Sequence, residues 1–390
     1  MTQSRIESLY IELLDAFGRL ALFALLLGLR WMTIPDVLPQ TWTPSTEIKY
    51  TARLLEEPEH TDSKTIITRG VWRIEIPGYI RLMPGRVYAF SGKVVPRMLM
   101  GKVIKIGMME PSFEGFDHTP ATLGERVVLA LTTMRARMEE NLSRRLPEPH
   151  SSLSAGILLG VKGSLPWDFY QELVSTGTVH VVAASGYNVS IVAGVVMGVL
   201  FKFVSRRVAV LFGIIAIIGY TILAGGDAPI VRAAIMGGLA ITAYYFGRPV
   251  WAKRLLWVSG IVMLLVEPRY LVDVGFWLSI SATAGILYLE PQMRKLGSRL
   301  VIGRSRYLSD YLYPTLAANV FTLPIILLVF SRVSWISPLV NVLVLPLTPL
   351  IMFLTAVTLL LDPIPILGFV SSLLLYVPLE LFIEVVRMLG

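Results

Sequence analysis

The chain has 390 residues, of which 54% are hydrophobic and 16% charged, with a mean hydropathy of +0.66 and a formal net charge of +8. So few charges cannot clothe a soluble globule of this length, so the chain reads as an integral membrane protein with room for one soluble domain and roughly eight to ten spans of about 20 residues. Cysteine is absent and the four histidines, His60, His118, His150 and His180, stand at no metal-ligand spacing, which excludes disulfides and thiolate sites and leaves no metal centre or cofactor legible.

The first apolar run, Phe17 to Ile34, lacks a small-residue cleavage site and carries Arg30 near its end, and it reads as an uncleaved first span. From Thr46 to Glu114 the pattern becomes strand-like. Short alternating runs at 48–52, 64–68, 71–76 and 103–106 are separated by Gly and Pro turns, and about five strands in this length fit a small OB-like barrel. Residues 122–146 predict an amphipathic helix that lies along the membrane or leads into the bundle. The resulting division is a first segment at 1–40, a β domain at 41–118, a helical connector at 119–150 and a membrane domain at 151–390. Apolar segments then follow at short intervals, at 154–161, 178–203, 208–224, 229–246, 251–266, 274–290, 311–330, 336–361 and 364–388. The first is too short to span. Prolines at 338, 346, 349, 363, 365 and 378 predict broken helices near the end.

Loop charges give the orientation. Lys202, Arg206 and Arg207, then Arg248, Lys253 and Arg254, then Arg294, Lys295, Arg299, Arg304 and Arg306 form basic loops, while Asp227, Glu267 and Asp273 occupy the intervening turns. The positive-inside rule makes the basic loops cytoplasmic and places the β domain outside.

Several constellations can carry chemistry. Between Lys64 and Lys105 nine Lys or Arg face one acid, Glu75, and Trp72, Tyr79, Tyr88 and Phe90 lie among them. Cations that follow phosphates and rings that stack on bases suit single-strand binding, whereas the bland alternative is a solvated strand face over an aromatic core, with anionic lipid as a rival ligand. Residues 178–194 run a polar cluster into an apolar span. Unpartnered polar groups are costly in hydrocarbon, so His180, Ser185, Asn188 and Ser190 must face protein, water or a ligand, and the glycines at 194 and 198 form a GxxxG pair suited to close helix approach. The competing reading is that the hydroxyls bond back to their own helix. A His180/Ser185 hydrolase is a weak third reading, since no Gly-x-Ser-x-Gly elbow surrounds Ser185. The turn at 225–229 predicts a helix start with Asp227 as N-cap and Pro229 in the first turn. Arg232 in that first turn opposes the helix dipole, so it is held there by an anion, by Asp227, or by snorkelling to the interface. Asp273, Ser279, Ser281, Asn319 and Asn341 are further polar residues at or inside span ends, each singly suited to an interhelical hydrogen bond.

Four segments together resemble the ComEC family of competence proteins, the membrane channel for DNA uptake. The stretch Gly177-Thr-Val-His-Val-Val-Ala-Ala-Ser-Gly-Tyr-Asn-Val is similar to the family's Gly-x-x-His-Leu-Leu-Ala-x-Ser-Gly-Leu-His-Val. Pro229-Ile-Val-Arg-Ala resembles its Pro-x-x-Arg-Ala segment, residues 268–279 its Pro-x-x-Leu-x-Asp-x-Gly-Phe-x-Leu-Ser segment, and Asn341 to Pro346 its Asn-x-x-x-x-Pro segment. Asn188 stands where the family has a second histidine, so no titrating imidazole is available there. A His-x-His-x-Asp-His cluster does not occur, and the chain is expected to be a form without the metallo-β-lactamase-like domain many members append.

The resemblance implies a polytopic α-helical membrane protein with an extracytoplasmic OB-like β-barrel domain, in the bacterial inner membrane, passing single-stranded DNA to the cytosol without catalysis of its own. Arg69, Trp72, Arg73, Arg81, Arg86, Tyr88 and Lys93 are the expected strand-binding residues, and His180, Ser185, Asn188, Arg232 and Asn341 the motif or path residues, with Asp273 holding a helix terminus or partnering Arg. Sparse charge along the path would let a polyanion leave. No P-loop is present. The expected partners are therefore single-stranded DNA, membrane lipids, an external DNA receptor and a cytosolic DNA-translocating ATPase, with room for a separate nuclease and for a homo-oligomer. The alternative is a small-solute or lipid transporter with an external docking domain.

Overall fold

The structure, a computed structural model, describes residues 26–28, 30–31, 47–53, 59–61, 64–69, 72–77, 82, 87–99, 102–109, 111–116, 123–161, 165–182, 186–297, 306–331 and 333–390. Most of the expected first span therefore lies outside the described residues. The part described, 26–28 with 30 and 31, is helical.

Seven strands build the N-terminal region: β1 (Glu47–Arg53), β2 (Glu59–Thr61), β3 (Lys64–Arg69), β4 (Trp72–Pro77), β5 (Val87–Leu99), β6 (Lys102–Met109) and β7 (Ser112–Phe116). The sheet order is β1-β5-β6-β4-β3-β2, with β7 on β5 beside its N-terminal half. All pairings are antiparallel except β4 with β6. Alternation puts Trp72, Ile74 and Ile76 on the inner face of β4, where they pack with Tyr88, Phe90, Val94, Ile106 and Met108. Among the described residues β1 and β2 remain unjoined edges, so the sheet is open where a closed barrel was expected from the strand count.

The helical region runs α1 (Leu123–Arg145), α2 (His150–Leu159), α3 (Trp167–Thr176), α4 (Val179–Val182), α5 (Gly186–Phe203), α6 (Arg206–Leu223), α7 (Ala228–Tyr245), α8 (Ala252–Val266), α9 (Val274–Tyr288), α10 (Glu290–Gly297), α11 (Arg306–Phe330), α12 (Ser337–Val344), α13 (Leu347–Leu361) and α14 (Pro365–Leu389), with a 3-10 turn at Pro268–Val272. Among the described residues five stretches are long and apolar enough to cross a membrane: Val179–Leu200, Arg206–Leu223, Ala228–Tyr245, Ser309–Phe330 and Pro365–Leu389. The pair α12 and α13, bent by 44° at the Pro346 break, makes a sixth if it is one span. The eight to ten expected spans include the first one, most of which lies outside the described residues. Helices α8 and α9 have 15 residues each, about 22 Å at 1.5 Å per residue, short of a hydrocarbon core about 30 Å thick. The expected C-terminal break is present at α12/α13, whereas Pro378 sits buried inside an unbroken α14.

A single large core joins Leu142 of α1 and the following Leu146 to Leu153, Ala155, Ile157 and Leu159 of α2, to Val181 and Val182 of α4, and to Leu375, Leu379 and Phe382 of α14. Helix α1 leads into the bundle and does not merely lie beside it. Its Arg145 pairs with the Asp362 carboxylate, and its Nη2 donates to the Asp362 carbonyl at 2.9 Å. Helices α9 and α11 approach most closely at Gly285, where an added Cβ would sit 2.2 Å from the Ala317 carbonyl oxygen. The GxxxG pair behaves otherwise. Nothing lies within 4 Å of a Cβ built on Gly194 or Gly198, so the expected small-residue face is unused.

Candidate functional site

The polar stretch of the sequence folds as two helices, α4 and α5, with residues 183–185 between them outside the described residues. Ser185 therefore lies outside the described residues as well. His180 in α4 is exposed, with Nδ1 3.0 Å from the Gly177 carbonyl. Gly177 itself needs to be glycine, because its φ is +71° and a Cβ would lie 2.8 Å from Cβ of Ser337 at the start of α12.

Asn188 has no exposed surface. Its Nδ2 donates to the Ile157 carbonyl at 2.8 Å, and Tyr220 Oη donates to the neighbouring Leu158 carbonyl at 3.0 Å. Helix α2 ends immediately afterwards at Gly160, in the left-handed conformation. Its last carbonyls lack donors within the helix, and the two side chains supply them. Asn188 thus closes a helix terminus, where the sequence suggested a path lining. Tyr220 was not singled out by the sequence, because nothing local marks a residue whose partner is 62 positions away. Ser190 bonds back to the Gly186 carbonyl at 3.0 Å, the bland reading of that hydroxyl.

Arg232 differs from these. It is 7% exposed, one Nη donates to the Ser279 carbonyl of α9, and its Nε is buried with no partner. Among the described residues no carboxylate pairs with it. Asp227 occupies the N-cap position of α7 as expected, but its side chain makes no capping bond. The N-terminus of α5 adjoins the same place, since a Cβ on Gly186 would lie 3.1 Å from Ala233 Cβ and 3.7 Å from Arg232 Nη2. An unneutralised guanidinium therefore sits beside the positive ends of two 18-residue helices. That arrangement attracts an anion.

Acids mark the rim at this end. Burial pushes the Tyr270 phenol up, and the charges of Asp273, Glu267 and Asp227 raise it further. Asp273 Oδ1 accepts from the Phe276 amide at 2.6 Å and so caps α9. Asn341 is 1% exposed, its Nδ2 3.3 Å from Ser337 Oγ, and its Oδ1 is buried with no partner four residues before the α12/α13 bend. Arg30, from the first helical segment, donates to the Leu265 and Val266 carbonyls at 3.0 and 3.1 Å, at the end of α8.

In the β domain the rings correct the expectation. Trp72 and Tyr88 are each 6% exposed and belong to the core, so neither offers a face for stacking. Strand alternation is symmetric about the sheet and the sequence could not say which face was inward. Arg73 pairs with Glu75 at 2.9 Å, and Lys93 is exposed. Arg69 takes the register position opposite Trp72, while Arg81 and Arg86 lie outside the described residues. The register also sets Arg97 opposite Lys105, with Val95 opposite Gly107 two positions along.

Comparison with known proteins follows the same lines. A family model described as Competence protein matches residues 157–390. The chain is 28% identical over 178 residues to ComE operon protein 3 of Bacillus subtilis, covering 45% of this chain and 22% of that protein. It is 26% identical over 246 residues to Competence protein ComA of Neisseria gonorrhoeae, covering 56% and 33%, and 22% identical over 286 residues to the uncharacterized protein YcaI of Escherichia coli, covering 67% and 36%. The matched segments thus span about a fifth to a third of these relatives. No solved structure matches. With more than half its length matched by that family, the chain belongs to the Competence protein family.

Proposed function

We propose that the chain is an inner-membrane channel that passes single-stranded DNA to the cytosol during transformation. The carrying observation is Arg232, a buried cation with no carboxylate on it among the described residues, an unpartnered Nε and two helix N-termini beside it, in a chain of the Competence family. Such a group is costly in a membrane unless an anion visits it, and a phosphodiester has the required charge and geometry. The β domain, taken as OB-like and external, guides the strand through the basic positions 69, 73, 81, 86 and 93, by phosphate contact and without the core rings. Guidance is needed because the rim acids repel a free polyanion. His180, Ser185 and Asn341 continue the path, and Asn188 holds α2 in place beside it. The basic loops support a cytosolic placement of their end, and Arg30 supports the direction of the first segment, which ends beside the end of α8 away from those loops. A cytosolic ATPase and an external receptor supply work and capture.

The test is uptake of labelled DNA by cells whose chromosomal copy carries Arg232→Ala, with membrane levels of the protein checked. Surface-bound DNA retained while cytosolic DNA is lost is the expected result. Normal cytosolic uptake at normal protein level would sink the reading.

A further inference from the structure

The opposite end of the bundle carries cations that no acid balances among the described residues. Residues 202–207 and 246–254 contain Lys202, Arg206, Arg207, Arg248, Lys253 and Arg254 and no Asp or Glu. The next basic loop is different. Its Arg294 pairs with Glu290 at 2.8 Å and Asp310 at 2.9 Å, and these bonds hold the guanidinium pKa above its usual value, Asp310 contributing most.

Three of the unbalanced cations lie on aromatic faces: Arg206 4.5 Å over Tyr244, Lys253 4.5 Å over Tyr288 and Arg254 4.7 Å over Trp251. Arg206 also donates to the Tyr244 carbonyl, so it is occupied as a cap of α7. Among the described residues Lys253 and Arg254 have no such second duty. Around them Trp257 Nε1 donates to Tyr288 Oη at 3.1 Å, fixing two rings side by side across α8 and α9. Trp251 and Trp257 are 56% and 55% exposed. Exposed apolar residues Val258 and Ile261 continue along α8 from this cradle. A ligand here meets cations and indole edges at one level and aliphatic surface directly beyond, which demands an anionic head on apolar tails.

We propose that Lys253 and Arg254, framed by Trp251, Trp257 and Tyr288, form a binding site for the phosphate headgroup of an anionic phospholipid. The site is separate from the Arg232 site and its readout needs no DNA transport.

The full chain is placed in phosphatidylcholine nanodiscs containing brominated phosphatidylglycerol, or brominated phosphatidylcholine at the same fraction. The fluorescence belonging to Trp251 and Trp257 is taken as the difference from a Trp251→Phe/Trp257→Phe variant. Brominated phosphatidylglycerol is expected to quench it about fivefold more effectively per headgroup cation engaged, from about 1 kcal/mol for each. Lys253→Gln/Arg254→Gln abolishes the preference, and Lys253→Arg keeps it. Equal quenching by both lipids overturns the proposal, as does a preference that survives the double Gln variant or is lost in Lys253→Arg. Loss of the preference on adding single-stranded oligothymidylate assigns the patch to nucleic acid and also overturns it.

Discussion

The end of α2 and the start of α7 each bury a polar side chain in the bundle, yet their hydrogen-bond accounts differ. At α2, Asn188 and Tyr220 meet two of the last three carbonyls one for one. At α7, a guanidinium with several donors makes one bond among the described residues, to Ser279, and leaves Nε without a partner there. The first arrangement is complete without a ligand and the second is not. A polar residue within a membrane helix is therefore weak evidence for a path, and an unmet donor beside a net positive field is stronger.

The largest expected break in this comparison is functional. Arg232→Met, which keeps a flexible unbranched stem and removes charge, should lower DNA uptake about 10- to 100-fold, the loss of a charge-assisted bond of about 1.5–3 kcal/mol to the passing phosphate. Thermal unfolding in detergent should move little or upward, because an unpaired buried charge is removed. Asn188→Leu should behave oppositely. It leaves the Ile157 carbonyl bare and costs about 1–3 kcal/mol, read as a lower midpoint, with uptake falling only as folded protein falls. Tyr220→Phe should give the same pattern at about 1 kcal/mol. Asp273→Ala should cost about 0.5–2 kcal/mol through the lost α9 cap, again measured by melting. Smallest of all, Gly194→Ala meets open space and should not destabilise, which would settle that the GxxxG pair is not a packing device in the monomer.

Hydropathy made the helical bundle legible, because a continuous apolar run needs no knowledge of partners. Alternation did the same for β1, β3, β4 and β6, which fall on the runs at 48–52, 64–68, 71–76 and 103–106. Lengths were less legible, and the short α8 and α9 reduced the span count among the described residues. Residue roles were least legible where partners are distant in sequence. Asn188 finds its acceptor 31 residues away, and the close crossing of α9 with α11 falls at a lone Gly285 and not at the recognisable motif. Trp72 and Tyr88 were misplaced because a period of two says that two faces exist without naming the buried one. Arg232 was the exception. Its conflict with the dipole of its own helix was visible in the sequence, and that conflict persists in the fold.

The contact of Arg30 with the Leu265 and Val266 carbonyls sets a timetable for biogenesis. The two ends of that contact are 235 positions apart. A ribosome adding about 5–20 residues per second needs roughly 12–47 s to supply the second after the first. Throughout that interval the newly inserted segment holds a guanidinium whose acceptors on α8 have not yet been synthesised. Its charge must be solvated by water or lipid headgroups until the end of α8 offers its carbonyls.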